Sequence, residues 1–202
     1  MRRSTGGCIF AEASSRRVTD ACIFWRADWD VSVLAVETLR VPRGDGDAFD
    51  IRHFDRLATV LRQADGHQLL LLSDGDHRLQ IDVTAGSVLD GPVCFRYELS
   101  GFRHIEAKTL TLRRLLLLRR LGRFPRGLFP PERRARRWAM ALQAYDGVRV
   151  GASHRDIAAA LFGEEVVRED WSGRSDYLRL RVQRLIRTAD KLVKGGYRDL
   201  LR

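Results

Sequence analysis

SHRDIAAALFGEEVVREDWSGRSDYLRLRVQRLIRTADKLVKGG, running from Ser153 to Gly196, is the stretch whose reading decides the fold. Ser153, with Asp156 three residues on, is a helix N-cap carrying a shorter-reaching version of the capping box. Ile157, Ala158, Leu161 and Phe162 supply the inner face of that short helix, and Gly163 stops it. Leu178, Val182, Leu185, Ile186, Ala189, Leu192 and Val193 then recur with the 3.6-residue period of a longer amphipathic helix. This helix starts between Ser172 and Ser175 and ends at Gly195-Gly196, a glycine stop signal. Its wet side carries Arg184, Arg187, Lys191 and Lys194.

A short helix, a connector and a longer helix with a basic outer side make the pattern of a helix-turn-helix, in which the second helix offers its first turns to the major groove. The connector from Gly163 to Asp170 is read as an acidic loop that faces away from DNA or packs Val166 and Val167 inward. No hairpin-sized segment follows the last helix, so a wing is not expected.

Working backward, Glu132 to Tyr145 reads as a further helix with Trp138, Leu142 and Tyr145 on its inner side and Ala135 and Ala141 beside them, giving a three-helix domain over 132–202. FPRGLFPP, Phe124 to Pro131, ends the preceding element and marks the domain boundary, because the residue before a proline is pushed out of the helical region. Ile105 to Leu121 is a connecting helix whose stripe includes Leu112, Leu115, Leu116 and Leu118 to Leu121; packing on its own domain is favoured over a self-association seam.

The N-terminal half, 21–123 with the connecting helix, has strand patterning. Cys22 to Trp25, Val31 to Leu39, Gln68 to Ser73, Arg78 to Val83 and Val93 to Leu99 read as strands, and Asp74-Gly75 is a hairpin turn. Leu79, Ile81 and Val83 alternate with Arg78, Gln80 and Asp82, which predicts one buried face and one wet face. Phe54 to Arg62 is read as a helical turn or two, and residues 1–20 as a flexible arm. The expected fold is α+β: a small antiparallel β-rich module, the connecting helix, and a C-terminal three-helix helix-turn-helix domain without a wing.

Charge separates the halves. Residues 1–100 hold 12 Lys/Arg against 15 Asp/Glu, a net of −3; residues 101–202 hold 24 against 11, a net of +13, which together give the chain's +10. All but a few of the cations are arginines, which grip phosphate bidentately, so a polyanionic partner is expected of the C-terminal half. Cys8, Cys22 and Cys94 form no CxxC pair and imply neither a disulfide framework nor a zinc site, which fits a reducing cytoplasm. No run is apolar over the ~18 residues a membrane-spanning helix needs, and no secretory leader is evident in the first residues.

Catalytic readings find little support. His53, His67, His77, His104 and His154 never fall at metal-ligand spacings, and there is no GxSxG, Walker or GxGxxG motif. Neither an enzyme nor a cofactor is expected. The DNA-binding candidates are His154 and Arg155 at the first helix N-terminus, where free N–H groups favour anions. Ser172, Arg174, Ser175, Tyr177 and Arg181 follow on the early turns of the second helix, with Arg184 further down its outer side. The rival reading is a protein-interaction module that sequesters a partner regulator without touching DNA.

GASHRDIAAALFG at 151–163, Trp171, LRLRVQRLIR at 178–187 and GGYRDLL at 195–201 resemble the C-terminal signature of the RovC-like DNA-binding domain family of proteobacterial transcriptional regulators. The resemblance covers roughly residue 85 onward, and FWRADWD at 24–30 is similar to a segment that often precedes the domain. It implies a sequence-specific regulator, typically an activator, of type VI secretion or of conjugative elements, bound to promoter DNA. The family pattern falls on Ser153, Arg155, Asp156, Ile157 and Phe162, then on Arg179, Arg181, Arg184, Gly196 and Tyr197; Asp156, Ile157, Phe162 and Gly196 are structural in this reading. Two-fold use of the motif implies half-sites roughly 34 Å apart and a homo-oligomer.

Overall fold

The structure, a computed structural model, describes residues 8–10, 22–171 and 176–201. They divide into two units, one formed by residues up to Pro130 with Leu201, the other by Pro131–Leu200.

The first unit contains β1 (Cys8–Phe10), β2 (Ile23–Trp25), β3 (Leu34–Arg40), β4 (Ala58–Arg62), β5 (Gln68–Ser73), β6 (Arg78–Ala85), β7 (Val93–Tyr97) and α1 (Ile105–Leu121). Five strands form one sheet in the order β4-β5-β6-β3-β7. The sheet is mixed, unlike the antiparallel module expected. β3 runs parallel to β6 and antiparallel to β7, so the β4-β5-β6 meander is inserted between β3 and its hairpin-like neighbour. Asp74-Gly75 does turn the chain between β5 and β6: Gly75 takes φ +97°, and the Asp74 carboxylate accepts the His77 N–H at 2.8 Å.

The helical reading of Phe54 to Arg62 fails for an identifiable reason. Ala58–Arg62 is an edge strand paired with β5, and only Ile51–Phe54 forms a helical turn, of 3-10 type. Thr59 and Val60 are β-branched, and pairing along the whole of β5 outweighs the weak local helical pattern. Within the stretch read as an arm, Cys8–Phe10 pairs with Ile23–Trp25 as a two-stranded sheet, and the rest of 1–20 lies outside the described residues.

β2 explains why the second face of the large sheet is not wet. Phe24 packs with Leu69 and Leu71, while Leu70 and Leu72 face the main core with Leu34, Val36, Ile81, Val83, Leu115 and Leu118. β5 is therefore apolar on both faces. Gln80, expected in solvent, is buried because its side-chain amide bonds both polar groups of Trp25: Oε1 accepts the N–H at 2.8 Å and Nε2 donates to the carbonyl. Asp82 on the same face is half-buried, and burial pushes its carboxyl above the ordinary range.

α1 spans the residues the leucine pattern predicts, and Gly122 ends it in the left-handed region at φ 64°. Its buried stripe is narrower than read: Thr111, Leu115 and Leu118 are covered, whereas Leu116 and Leu121 are exposed. FPRGLFPP is anchored to this unit. Phe124 is buried, Phe129 meets the Arg114 guanidinium 4.1 Å from its ring centroid, and Arg114 Nη2 donates to the Leu128 carbonyl at 2.8 Å.

Among the described residues the second unit holds four α-helices where three were expected: α2 (Ala135–Arg149), α3 (His154–Phe162), α4 (Glu164–Asp170) and α5 (Tyr177–Val193). The acidic connector is α4. Gly163, at φ 96°, separates it from α3, and Glu164 with Glu165 sits in its first turn, where negative charge is favoured. Val167 turns inward and Val166 stays exposed. α5 buries Leu178, Val182, Leu185 and Ala189. The inner side of α2 differs in part from expectation: Ala141 is fully buried as read and Ala144 joins it, while Leu142 and Ala135 are exposed and Trp138 only half-buried. Among the described residues no helix is long and apolar enough to cross a membrane.

Candidate nucleic-acid interface

The first turn of α3 is fixed by a reciprocal cap. Ser153 Oγ accepts the Asp156 N–H at 3.2 Å, and the Asp156 carboxylate accepts the Ser153 N–H at 3.0 Å and its hydroxyl at 2.7 Å. The Ser153 hydroxyl, then its backbone N–H, holds the Asp156 carboxyl below the usual range. His154 and Arg155 are exposed beside this cap. The helix terminus they flank already carries an anion of its own, so any phosphate contact there would come from the Arg155 side chain more than from free N–H groups.

Ser172, Arg174 and Ser175 lie outside the described residues. α5 begins at Tyr177, which is exposed. Arg179 is engaged within its own unit: Nη2 donates to the Trp171 carbonyl at 3.1 Å, Nη1 pairs with Asp176 at 3.4 Å, and the guanidinium sits 5.5 Å from the Trp171 ring centroid. It braces the start of α5 against the end of α4. Arg181 lies over the Phe162 ring at 4.2 Å, which joins α5 to the last turn of α3.

Arg184 is exposed, and its guanidinium has no ion pair among the described residues. Tyr177, Arg181 and Arg184 follow at helical spacing along one flank of α5, and Leu180, Arg184, Arg187 and Lys191 do so on the side opposite the buried residues. Lys194 is instead tied to Asp190 at 2.8 Å. Of the candidates on α5, Tyr177, Arg181 and Arg184 thus share one flank, and Arg179 lies on another side of the helix, against Trp171. Those on α3 sit at the other end of that helix from Phe162, about 12 Å along its axis at 1.5 Å per residue.

One basic cluster escaped the sequence reading. Arg133, Arg134, Arg136 and Arg137 are all exposed around the start of α2, and no acidic residue lies in that helix's first turn. Cations at the positive end of a helix dipole are unfavourable unless an anion is nearby, and the one carboxylate beside these four arginines among the described residues, Glu132, accepts the Arg134 N–H at 2.8 Å. The ERRARR run at 132–137 was the available signal.

The family described as T6SS, transcription factor, DNA binding domain matches residues 101–202, from just before α1 through the helical unit. No curated protein matches the chain.

Proposed function

Because the chain belongs to this family of DNA-binding transcription factors, we propose that it regulates transcription in the bacterial cytoplasm by recognising a specific promoter sequence, as an activator and as a homo-oligomer. α5 enters the major groove. Arg184, with Arg181 and Tyr177 beside it, approaches base edges, and Arg187 and Lys191 approach phosphates. Arg133, Arg134, Arg136 and Arg137 clamp the flanking backbone, where the phosphates relieve the repulsion of four cations at a helix N-terminus.

The observation that carries this reading is the division of α5 into a fully apolar inner face and an outer face whose charged members, Arg184, Arg187 and Lys191, are all positive. Helices α2 and α3 hold the inner face. The outer face has the width and charge that a groove accepts.

The test is fluorescence anisotropy on fragments of the candidate promoters and on scrambled DNA across a salt series. Tighter binding to one promoter than to scrambled DNA, with affinity falling linearly in log-log form as salt rises, supports the reading. Equally weak binding to every fragment overturns it. The sequestering role would then be favoured, with the exposed Arg184, Arg187 and Lys191 meeting an acidic protein partner.

A further inference from the structure

The first unit contains a cavity of about 660 Å³ where the last turn of α1 faces the loop before the 3-10 turn Ile51–Phe54. That size lies within the roughly 300 to 1,000 Å³ typical of small-molecule sites. Its walls are built by identifiable interactions. Arg119 Nε donates to the Ala48 carbonyl at 3.2 Å and its Nη2 donates to the Gly46 carbonyl, which holds loop 43–48 to the helix. Phe49 exchanges both backbone hydrogen bonds with Val93, at 2.7 and 2.9 Å, and its ring stacks on Phe54 at 5.2 Å between centroids. Phe49, Phe54, Ala48 and Pro92 form an apolar floor and side.

The remaining lining is basic. Four arginines, Arg43, Arg52, Arg119 and Arg120, face two aspartates, Asp45 and Asp50, a formal excess of two positive charges. Asp50 is already paired with Arg52, and the Asp45 carboxylate accepts the Asp47 N–H at 2.8 Å. The Arg119 contacts are to neutral carbonyls, which orient its guanidinium and leave its charge uncompensated. Arg43 and Arg120 are exposed, with no ion pair among the described residues. Three guanidinium groups without an acidic partner therefore line a cavity that has an apolar floor.

We propose that this cavity is a binding site for a small phosphate monoester with a flat apolar body, of nucleoside-monophosphate size. Such a group carries about −1.5 to −2 charge near neutrality, which matches the excess in the lining. Arg43, Arg119 and Arg120 receive the phosphate, and the ring system lies toward Phe54 and Pro92. The assignment does not rest on the DNA contacts proposed for α5.

Titration calorimetry of the full chain, without DNA, tests it with adenosine 5′-monophosphate as the probe and adenosine as the uncharged control. One nucleotide is expected to bind per chain, with adenosine at least tenfold weaker. The Arg43→Ala/Arg120→Ala double variant, and Arg120→Gln alone as a milder change, should weaken the nucleotide by tenfold or more and by severalfold respectively. Arg184→Ala should leave nucleotide affinity where it was. No binding of the nucleotide, equal binding of adenosine, or a loss that follows Arg184 rather than Arg43 and Arg120 would overturn the proposal.

Discussion

The guanidinium of Arg181 lies 4.2 Å from the centroid of the Phe162 ring, so a residue read as a DNA contact also fastens α5 to α3. A cation over an aromatic face at an exposed position is worth about 0.5 to 1 kcal/mol. Urea unfolding of Arg181→Ala, Phe162→Leu and the double variant should return a coupling of that size. Additive effects would mean that the two side chains do not hold each other in solution, and Arg181 would then be free to reach DNA entirely on its own terms.

Arg184 provides the contrasting case, since it is exposed and supports no packing. Arg184→Ala should leave unfolding free energy within about 0.5 kcal/mol of the parent. On the proposed interface it should weaken promoter binding. If Arg184 reads a base, discrimination against mutated promoters falls by about 1 to 3 kcal/mol; if it meets a phosphate, binding weakens uniformly and the salt slope drops by about 1. Promoter affinity equal to the parent's at every salt concentration would remove Arg184 from the interface.

The parts of this molecule legible in the sequence are those where one periodicity dominates. α5 could be read because Leu178, Val182, Leu185 and Ala189 repeat without interruption, and α1 because its leucines run from end to end. The Ser153–Asp156 cap was legible because it is a local arrangement of four residues. What could not be read depended on a partner distant in sequence. Gln80 is polar and sits at an alternating position, and only the arrival of Trp25, 55 residues away, makes it a buried one. The parallel pairing of β3 with β6 is equally non-local. Of the candidate site, the α5 arginines could be placed on a face, but the duties of Arg179 toward Trp171 and of Arg181 toward Phe162 follow from tertiary contacts alone.

The inner face of α2 makes this point testable. A hydrophobicity count favours Trp138 and Leu142 as core, whereas the fully buried residues are Ala141 and Ala144, beside a core that includes Ala158 and Ala189. Small side chains at these positions let neighbouring helix backbones approach closely. Ala144→Leu should therefore destabilise by about 1 to 3 kcal/mol through overpacking, while Leu142→Ala, on the exposed side, should cost well under 1. Thermal and urea unfolding would check both, and the reverse ranking would restore the leucine to the core.

Asp50 gives the first unit a pH dependence with a definite sign. Its side chain is nearly buried, caps the 3-10 turn by accepting the Arg52 N–H at 3.1 Å, and pairs with the Arg52 guanidinium. The hydrogen bonds from Arg52 hold its carboxyl at about 2, against an ordinary value of 3.8, despite burial acting in the opposite direction. A carboxyl whose pKa is lower in the folded chain stabilises the fold above its unfolded value, and that contribution is lost as pH falls through the folded one. The advantage of the parent over Asp50→Asn should therefore be constant above about pH 5 and shrink between about pH 4 and pH 2. Urea unfolding of both proteins across that range is the measurement. An advantage that stays constant down to pH 2 would show that the carboxylate is not ionised against Arg52 in the folded chain.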